Sequence, residues 1–255
     1  MGFWTAWQFL TIFPGPSNWG TDQEGIGNSV ACFPLVGLVL GAALLGLDQL
    51  FNLFLPELLT SALLIVILVI FTGALHLDGF MDTCDGFAVK RSAAERLKVM
   101  SDSRVGGFGV AGACCLILLK YIALLSLPLG LRSAALLLTP TLSRWGSAYA
   151  MLAFPSARKE GLGQTFKHQT RWPMLLIATT ITMALASVFL SYIGPVLMAA
   201  TWLIVFLPAR AFSSRLGGLT GDTYGAIIEI SETCILIAMI IIDKAGGTSW
   251  LGSYL

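Results

Sequence analysis

The sequence predicts an all-α fold: a polytopic integral membrane helical bundle of about seven spans with a polar site facing the cytoplasm. Three observations carry this. Hydrophobic residues make up 56% of the 255 and charged residues 11%, against roughly a quarter charged in an ordinary soluble domain. Several apolar stretches approach the ~20 residues that a helix needs to cross the ~30 Å hydrocarbon core, which favours helical spans over the short alternating strands of a barrel. The basic residues gather in three of the segments between those stretches.

Taken in order, the apolar stretches predict spans at about 30 to 52, 58 to 77, 107 to 129, 133 to 154, 173 to 192, 195 to 209 and 226 to 242. The sixth and seventh are short, which suggests tilted, broken or re-entrant helices. The N-terminal MGFWTAWQFLTIFPGPSNWG has no Lys or Arg ahead of its apolar stretch, so the first helix is expected to insert uncleaved. Residues 78 to 105 hold five Lys and Arg, 155 to 172 hold four and 208 to 225 hold two, whereas FNLFLPE, LPLGLR and SYIGP hold one Arg between them. The positive-inside rule then places the three basic loops and the N-terminus in the cytoplasm and the C-terminus outside. No linker, low-complexity tract or repeat divides the chain, so residues 1–255 are read as a single transmembrane catalytic domain. GLVLG, from Gly37 to Gly41, fits a close helix contact, as does chance in a glycine-rich chain.

A net charge of +1 gives no argument for nucleic acid, and none is expected as a partner. The five cysteines, Cys32, Cys84, Cys114, Cys115 and Cys234, lack the spacing of a zinc site or a disulfide framework and read as small core residues.

The chemistry concentrates after the second apolar run, in LHLDGFMDTCDGF, residues 75 to 87. On a helix Asp78, Asp82 and Asp85 fall at i, i+4 and i+7, within a ~60° arc of one face. Carboxylates ~6 Å apart repel by roughly 3 kcal/mol at an effective dielectric near 20, so the stripe calls for a compensating cation. Oxygen-only ligation suits Mg²⁺ or Mn²⁺, and the lack of Cys and His pairs argues against zinc. His76 reads as a supporting or structural residue. Interfacial caps and turns are the plainer account of any one Asp-Gly pair, but less so of three in phase. Gly79 and Gly86 leave the stripe open to another backbone or a ligand. The following FAVKRSAAERLKVM, residues 87 to 100, predicts an amphipathic helix along the membrane surface.

Further polar groups extend this inventory. In MSDSRVGGFG, Asp102 offers another ligand, Arg104 a phosphate contact, and the amides near Gly106, Gly107 and Gly109 an anion-binding helix N-terminus. In SRLGGLTGDTYGAIIEISE, Asp222 and Glu229 share a face and are placed to join the first site, while for Glu232 a structural pairing with Arg144 or Arg210 competes with a functional role. Arg158, Lys159, Lys167, His168 and Arg171 fix topology or touch substrate phosphate. Acids for a metal, and bases and glycines for a phosphate, make phosphoryl-transfer equipment.

HLDGFMDTCDGF resembles the HLDGxxDTxDG signature of the cobalamin-5′-phosphate synthases, also called adenosylcobinamide-GDP ribazoletransferases. The likeness continues in WQFLTIFP, FPLVGLVLG, MSDSRVGGFGV, ARKEGLG and GGLTGDTYGAIIEISE, in family order. It implies a multi-pass enzyme of the bacterial inner (cytoplasmic) membrane with its active site facing the cytoplasm. The substrates implied are a corrinoid nucleotide, adenosylcobinamide-GDP, and α-ribazole or its 5′-phosphate. The products are adenosylcobalamin or its phosphate and GMP, with Mg²⁺ as cofactor. A homo-oligomer or a complex with other cobalamin-assembly enzymes fits as well. DTCDG also resembles the opening DxxDG of the CDP-alcohol phosphotransferases. That family continues with an AR pair and two later aspartates four apart, whereas here Lys90 and Arg91 follow, and Gly106 comes four after Asp102.

The expected site therefore has Asp82 and Asp222 as catalytic residues, Asp78, Asp82, Asp85 and Asp102 as metal ligands, and Lys90, Arg104, Arg158 and Arg215 on substrate phosphates. A phospholipid-forming CDP-alcohol phosphotransferase and a membrane transporter are the rival readings.

Overall fold

The structure, a computed structural model, describes residues 2–16, 23–89, 92–158 and 160–246. Their regular elements are helices, and their only bridge is a single parallel pairing of Ser156 with Leu219. In chain order they are α1 (Gly2–Leu10), α2 (Gln23–Ser29), α3 (Phe33–Phe51), α4 (Glu57–Phe71), α5 (Leu75–Ala88), α6 (Ala93–Val99), α7 (Gly107–Leu125), α8 (Leu129–Ala153), α9 (Leu162–Gln169), α10 (Trp172–Leu190), α11 (Ile193–Leu216) and α12 (Gly221–Lys244). A 3-10 turn, Val30–Cys32, joins α2 to α3.

Each expected span coincides with a helix, but not always with a straight one. Among the described residues five stretches are long and apolar enough to cross a membrane, and the pair α4 and α5 makes a sixth only as a span bent by 88°; the remaining expected span, 133 to 154, is not among them. The bend falls at Thr72–Ala74, where Gly73 and Ala74 take φ of 61° and 57°. α11 and α12 correct the expectation of short last spans: each runs for 24 residues, because the polar stretches flanking the apolar runs are helical too. The helix expected over 87 to 100 is shorter, since α5 takes residues 87 and 88. α6 starts only after a capping box between Ser92 and Glu95.

α8 is the axis of the bundle, with 25 residues and a length of ~37 Å. It is buried along nearly its whole length, packed by α3, α10, α11 and α12. Enclosure by other helices explains why it tolerates Arg132, Arg144 and several hydroxyls where lipid would not. Gly37 and Gly41 of GLVLG lie on its backbone: a Cβ on Gly41 would come 2.6 Å from the Leu136 carbonyl. The outward faces carry Val66, Ile70, Leu118, Leu119, Ile122, Val188 and Leu207, all exposed, as lipid contact requires. The cysteines are not core residues: Cys114 and Cys115 are exposed and the other three half-buried.

Two buried charge clusters pin the helices together. Near one end, Arg132 donates to Asp48 and Ser61, with Glu57 at 3.4 Å. In the interior, Lys120 of α7 reaches Glu229 at 2.6 Å and Glu232 at 2.7 Å on α12, and Arg144 of α8 pairs with Glu232. Two cations and two anions leave that cluster neutral, which lets it sit dry between helices.

Candidate active site at the basic end of the bundle

The bend after α4 turns α5 across the end of the bundle. The Ile12 amide donates to the Phe71 carbonyl at 3.0 Å, and a Cβ on Gly73 would collide with the Ile12 side chain. WQFLTIFP thus braces the corner from which α5 departs.

Glycines decide what α5 lies against. A Cβ on Gly79 would sit 2.7 Å from the Asp222 carbonyl, and one on Gly225 3.0 Å from that of His76, so α5 and α12 touch backbone to backbone. This brings Asp222, at the start of α12, alongside the aspartate stripe. Asp78, Asp85, Asp222 and Arg158 all bear electrostatically on Asp82. Asp78 is exposed and Asp82 half-buried, and neither has a side-chain hydrogen bond or ion pair among the described residues.

Arg158 arrives from a different loop. The amide of Ala157 donates to Leu219 and that of Leu219 to Pro155, at 2.9 and 2.8 Å, which clips loop 155–158 to loop 217–220. Gly218, at φ 156°, has no room for a Cβ beside Ala157. The Arg158 guanidinium then lies 3.1 Å from Asp222 Oδ2 without hydrogen-bond alignment. Thr220 caps α12 through the Thr223 amide, placing Asp222 in the first helical turn. Arg215 and Arg96 cover the Phe87 ring at 5.6 and 5.4 Å, so Arg215 ends near the C-terminus of α5. The three basic loops therefore meet at one end.

Other expected members are occupied elsewhere. Asp85 accepts from the amides of Gly106 and Gly109, both at 2.8 Å. The N-terminus of α7, expected to take a substrate anion, is filled by this carboxylate. Asp102 and Arg104 are exposed and bind each other at 2.8 Å, which pulls the Asp102 carboxyl down to about 2. Glu229 was expected to face the aspartates but is bound to Lys120. Lys90 lies outside the described residues, as do Arg91 and Lys159. On α9, burial lowers Lys167 from its ordinary value, and its ammonium donates to the Leu152 carbonyl.

Beside the aspartates opens a cavity of about 260 Å³, lined by Gln8, Phe9, His76, Asp78, Ser147 and Tyr224 among others. The inner wall backs onto the neutral cluster, whose Arg144, Glu232 and Lys120 all act on His76. Lys120 was not singled out from the sequence, although a lone lysine inside an apolar span is a signal. Ser147 and Tyr224 carried none, being ordinary residues in helical segments.

Among the described residues no three His, Cys, Asp or Glu side chains are close enough to cage a metal ion. The donors still fit Mg²⁺, which typically takes one or two carboxylates and completes its shell with water and substrate phosphate. Asp82 and Asp78 supply such oxygens, with no thiolate or imidazole pair to select a softer metal.

Fold and site together define a class: a polytopic α-helical membrane protein that gathers unpaired carboxylates, an arginine and a cavity at its basic end. Within that class, the chain belongs to the cobalamin-5-phosphate synthase family, whose model matches residues 2–240. Among curated proteins it is 37% identical to an adenosylcobinamide-GDP ribazoletransferase of Geotalea daltonii, over 94% of this chain and 97% of that one. It is 40% identical to the protein of that name from Desulfitobacterium hafniense, over 92% and 94%. No solved structure matches.

Proposed function

We propose that the chain is an adenosylcobinamide-GDP ribazoletransferase, joining adenosylcobinamide-GDP to α-ribazole or its 5′-phosphate with release of GMP in cobalamin biosynthesis. Family membership across residues 2–240 carries this reading, and the convergence of Asp78, Asp82, Asp222 and Arg158 supports siting the chemistry there. The ribose hydroxyl of the acceptor attacks the phosphorus nearer cobinamide. A P–O bond forms there, the pyrophosphate bridge breaks, and GMP leaves with the electron pair. Asp222 takes the hydroxyl proton, and Arg158, loosely held by that same carboxylate, turns to the phosphate as its partner is protonated. Asp82, with Asp78, would hold Mg²⁺, which when bound would supply positive charge to the pyrophosphate and the departing GMP. Arg215 and Lys90 are further phosphate contacts.

The concentration of basic residues at this end supports a cytoplasmic orientation, and with it the bacterial inner membrane. The CDP-alcohol and transporter readings are not favoured by the family match, and the interior charges a transporter would use are paired with one another.

The test is GMP release by the purified protein in nanodiscs, given adenosylcobinamide-GDP, α-ribazole and Mg²⁺. Asp82→Asn should lower turnover by ~100-fold. Near-normal turnover of that variant at saturating Mg²⁺ would remove the metal-site assignment, and CMP release from a CDP-activated lipid in place of GMP release would remove the reaction.

A further inference from the structure

We infer that the cavity beside the aspartates is the subsite for the acceptor, a nucleoside with a bicyclic heteroaromatic base, and that Tyr224, Ser147 and His76 hold the base while Asp78 and Asp222 face the sugar. The assignment rests on the ribazoletransferase reading and identifies which of the two substrates enters here.

Four observations converge. The first is size. At about 260 Å³ the cavity falls just under the ~300–1,000 Å³ of typical small-molecule sites, too small for a corrin macrocycle. Charge is the second. No Lys or Arg lines the cavity, while two carboxylates, Asp78 and Asp222, stand in its wall. Such a lining offers a phosphate no cationic side chain and suits a neutral molecule with hydroxyls to donate. A phosphate on the acceptor's 5′ position must therefore remain outside, toward Arg158.

Third, the apolar wall is partly aromatic, with Phe9 and Tyr224 as well as Leu75 and Ile228. Flat rings fill such a space with little loss of conformational freedom. Fourth, three polar atoms on its lining residues are orphans. Tyr224 Oη, Ser147 Oγ and His76 Nε2 are buried and have no hydrogen-bond partner among the described residues, on side chains at most 4% exposed. Buried polar groups are normally satisfied, and one left alone is costly. Their residues, on α5, α8 and α12, all line one cavity, where a ligand bearing complementary atoms can partner them once the side chains turn toward it. A base with a ring nitrogen accepts from Tyr224 or Ser147, and the imidazole of His76 offers a donor or an acceptor as its tautomer requires.

The test separates the two substrates. In Tyr224→Phe and Ser147→Ala, each of which deletes one hydroxyl with little change of shape, the KM for α-ribazole should rise about threefold to tenfold with little change in the KM for adenosylcobinamide-GDP. A rise confined to the corrinoid substrate, or no rise in either, overturns the assignment. Should a variant fail to fold, photolabelling of the unmodified protein with an azido-benzimidazole riboside gives an independent answer. Label on α1, α5, α8 or α12 is expected, and label confined to other helices refutes the subsite. Failure of the underlying reading looks different: the unmodified protein would then release no GMP at all, whereas failure of the subsite leaves GMP release intact with an unmoved ribazole KM.

Discussion

Lys120→Met tests whether charge balance holds the interior together. Lys120 is 3% exposed and lies 2.6 Å from Glu229 and 2.7 Å from Glu232, and Arg144 is the other cation of the cluster. Methionine keeps the approximate length and removes the charge, leaving two buried carboxylates with a single arginine. Removing one partner of a buried ion pair costs about 3–5 kcal/mol, chiefly because the abandoned charge stays buried. If that cause is right, the destabilisation is repairable without restoring a cation. Lys120→Met with Glu229→Gln again leaves one anion and one cation, Glu232 and Arg144, and should recover more than half of the loss. The assay is reversible unfolding in mixed detergent micelles, run as a double-mutant cycle with Glu229→Gln as the fourth corner. A double variant as unstable as the sum of its parts would refute the reasoning, since it would show that the contacts of Lys120 matter and not the imbalance.

Two further outcomes concern acids placed outside the catalytic group. Asp85→Asn should destabilise the fold by about 1–2 kcal/mol, because its carboxylate caps α7 through Gly106 and Gly109 and an amide offers only one acceptor oxygen. The Mg²⁺ concentration for half-maximal activity should stay unchanged, and a large increase would return Asp85 to the metal. Asp102 has its carboxyl pulled down to about 2 by Arg104, so the interaction is present above the ordinary carboxylate range and is lost only as pH falls toward 2. It stays ionised across neutral and mildly acidic pH, and Asp102→Asn should leave the acid limb of the pH–rate profile in place. Disappearance of that limb would identify Asp102 as the titrating group.

What the sequence made legible follows from range. The phase of Asp78, Asp82 and Asp85 is a local property of one helix, and α5 keeps it. The apolar runs show where helices lie, because lipid demands them residue by residue. The 88° bend left little trace: it lies at Thr72–Ala74 inside a continuous apolar stretch, and Ala74 takes a left-handed conformation that alanine rarely adopts. The partners of Lys120, Arg132 and Asp85 are 109, 84 and 21 residues away, beyond any periodicity. Gly79 was legible as a place of close approach; that the approaching backbone belongs to α12 was not.

The distribution of counter-charges supplies an argument that motif matching does not. An acid at or within a membrane needs compensation, and most of those in the described helical bundle find theirs internally. Asp48 has Arg132; Glu229 and Glu232 have Lys120 and Arg144; Asp85 has two amides; Asp102 has Arg104. Among the described residues Asp78 and Asp82 have no side-chain hydrogen bond or ion pair, and Asp222 has the Thr220 hydroxyl at 3.3 Å and a guanidinium in poor alignment. Those three stand together because Gly79 and Gly225 let α5 and α12 touch. Among the described residues Arg158 alone brings a positive charge to them, which leaves room for the cation and the reacting hydroxyl that such a site requires. The same logic points away from Glu229, Asp85 and Asp102, whose carboxylates are held by Lys120, by two amides and by Arg104. A carboxylate whose oxygens already accept from its own fold has fewer lone pairs to offer a metal or a substrate.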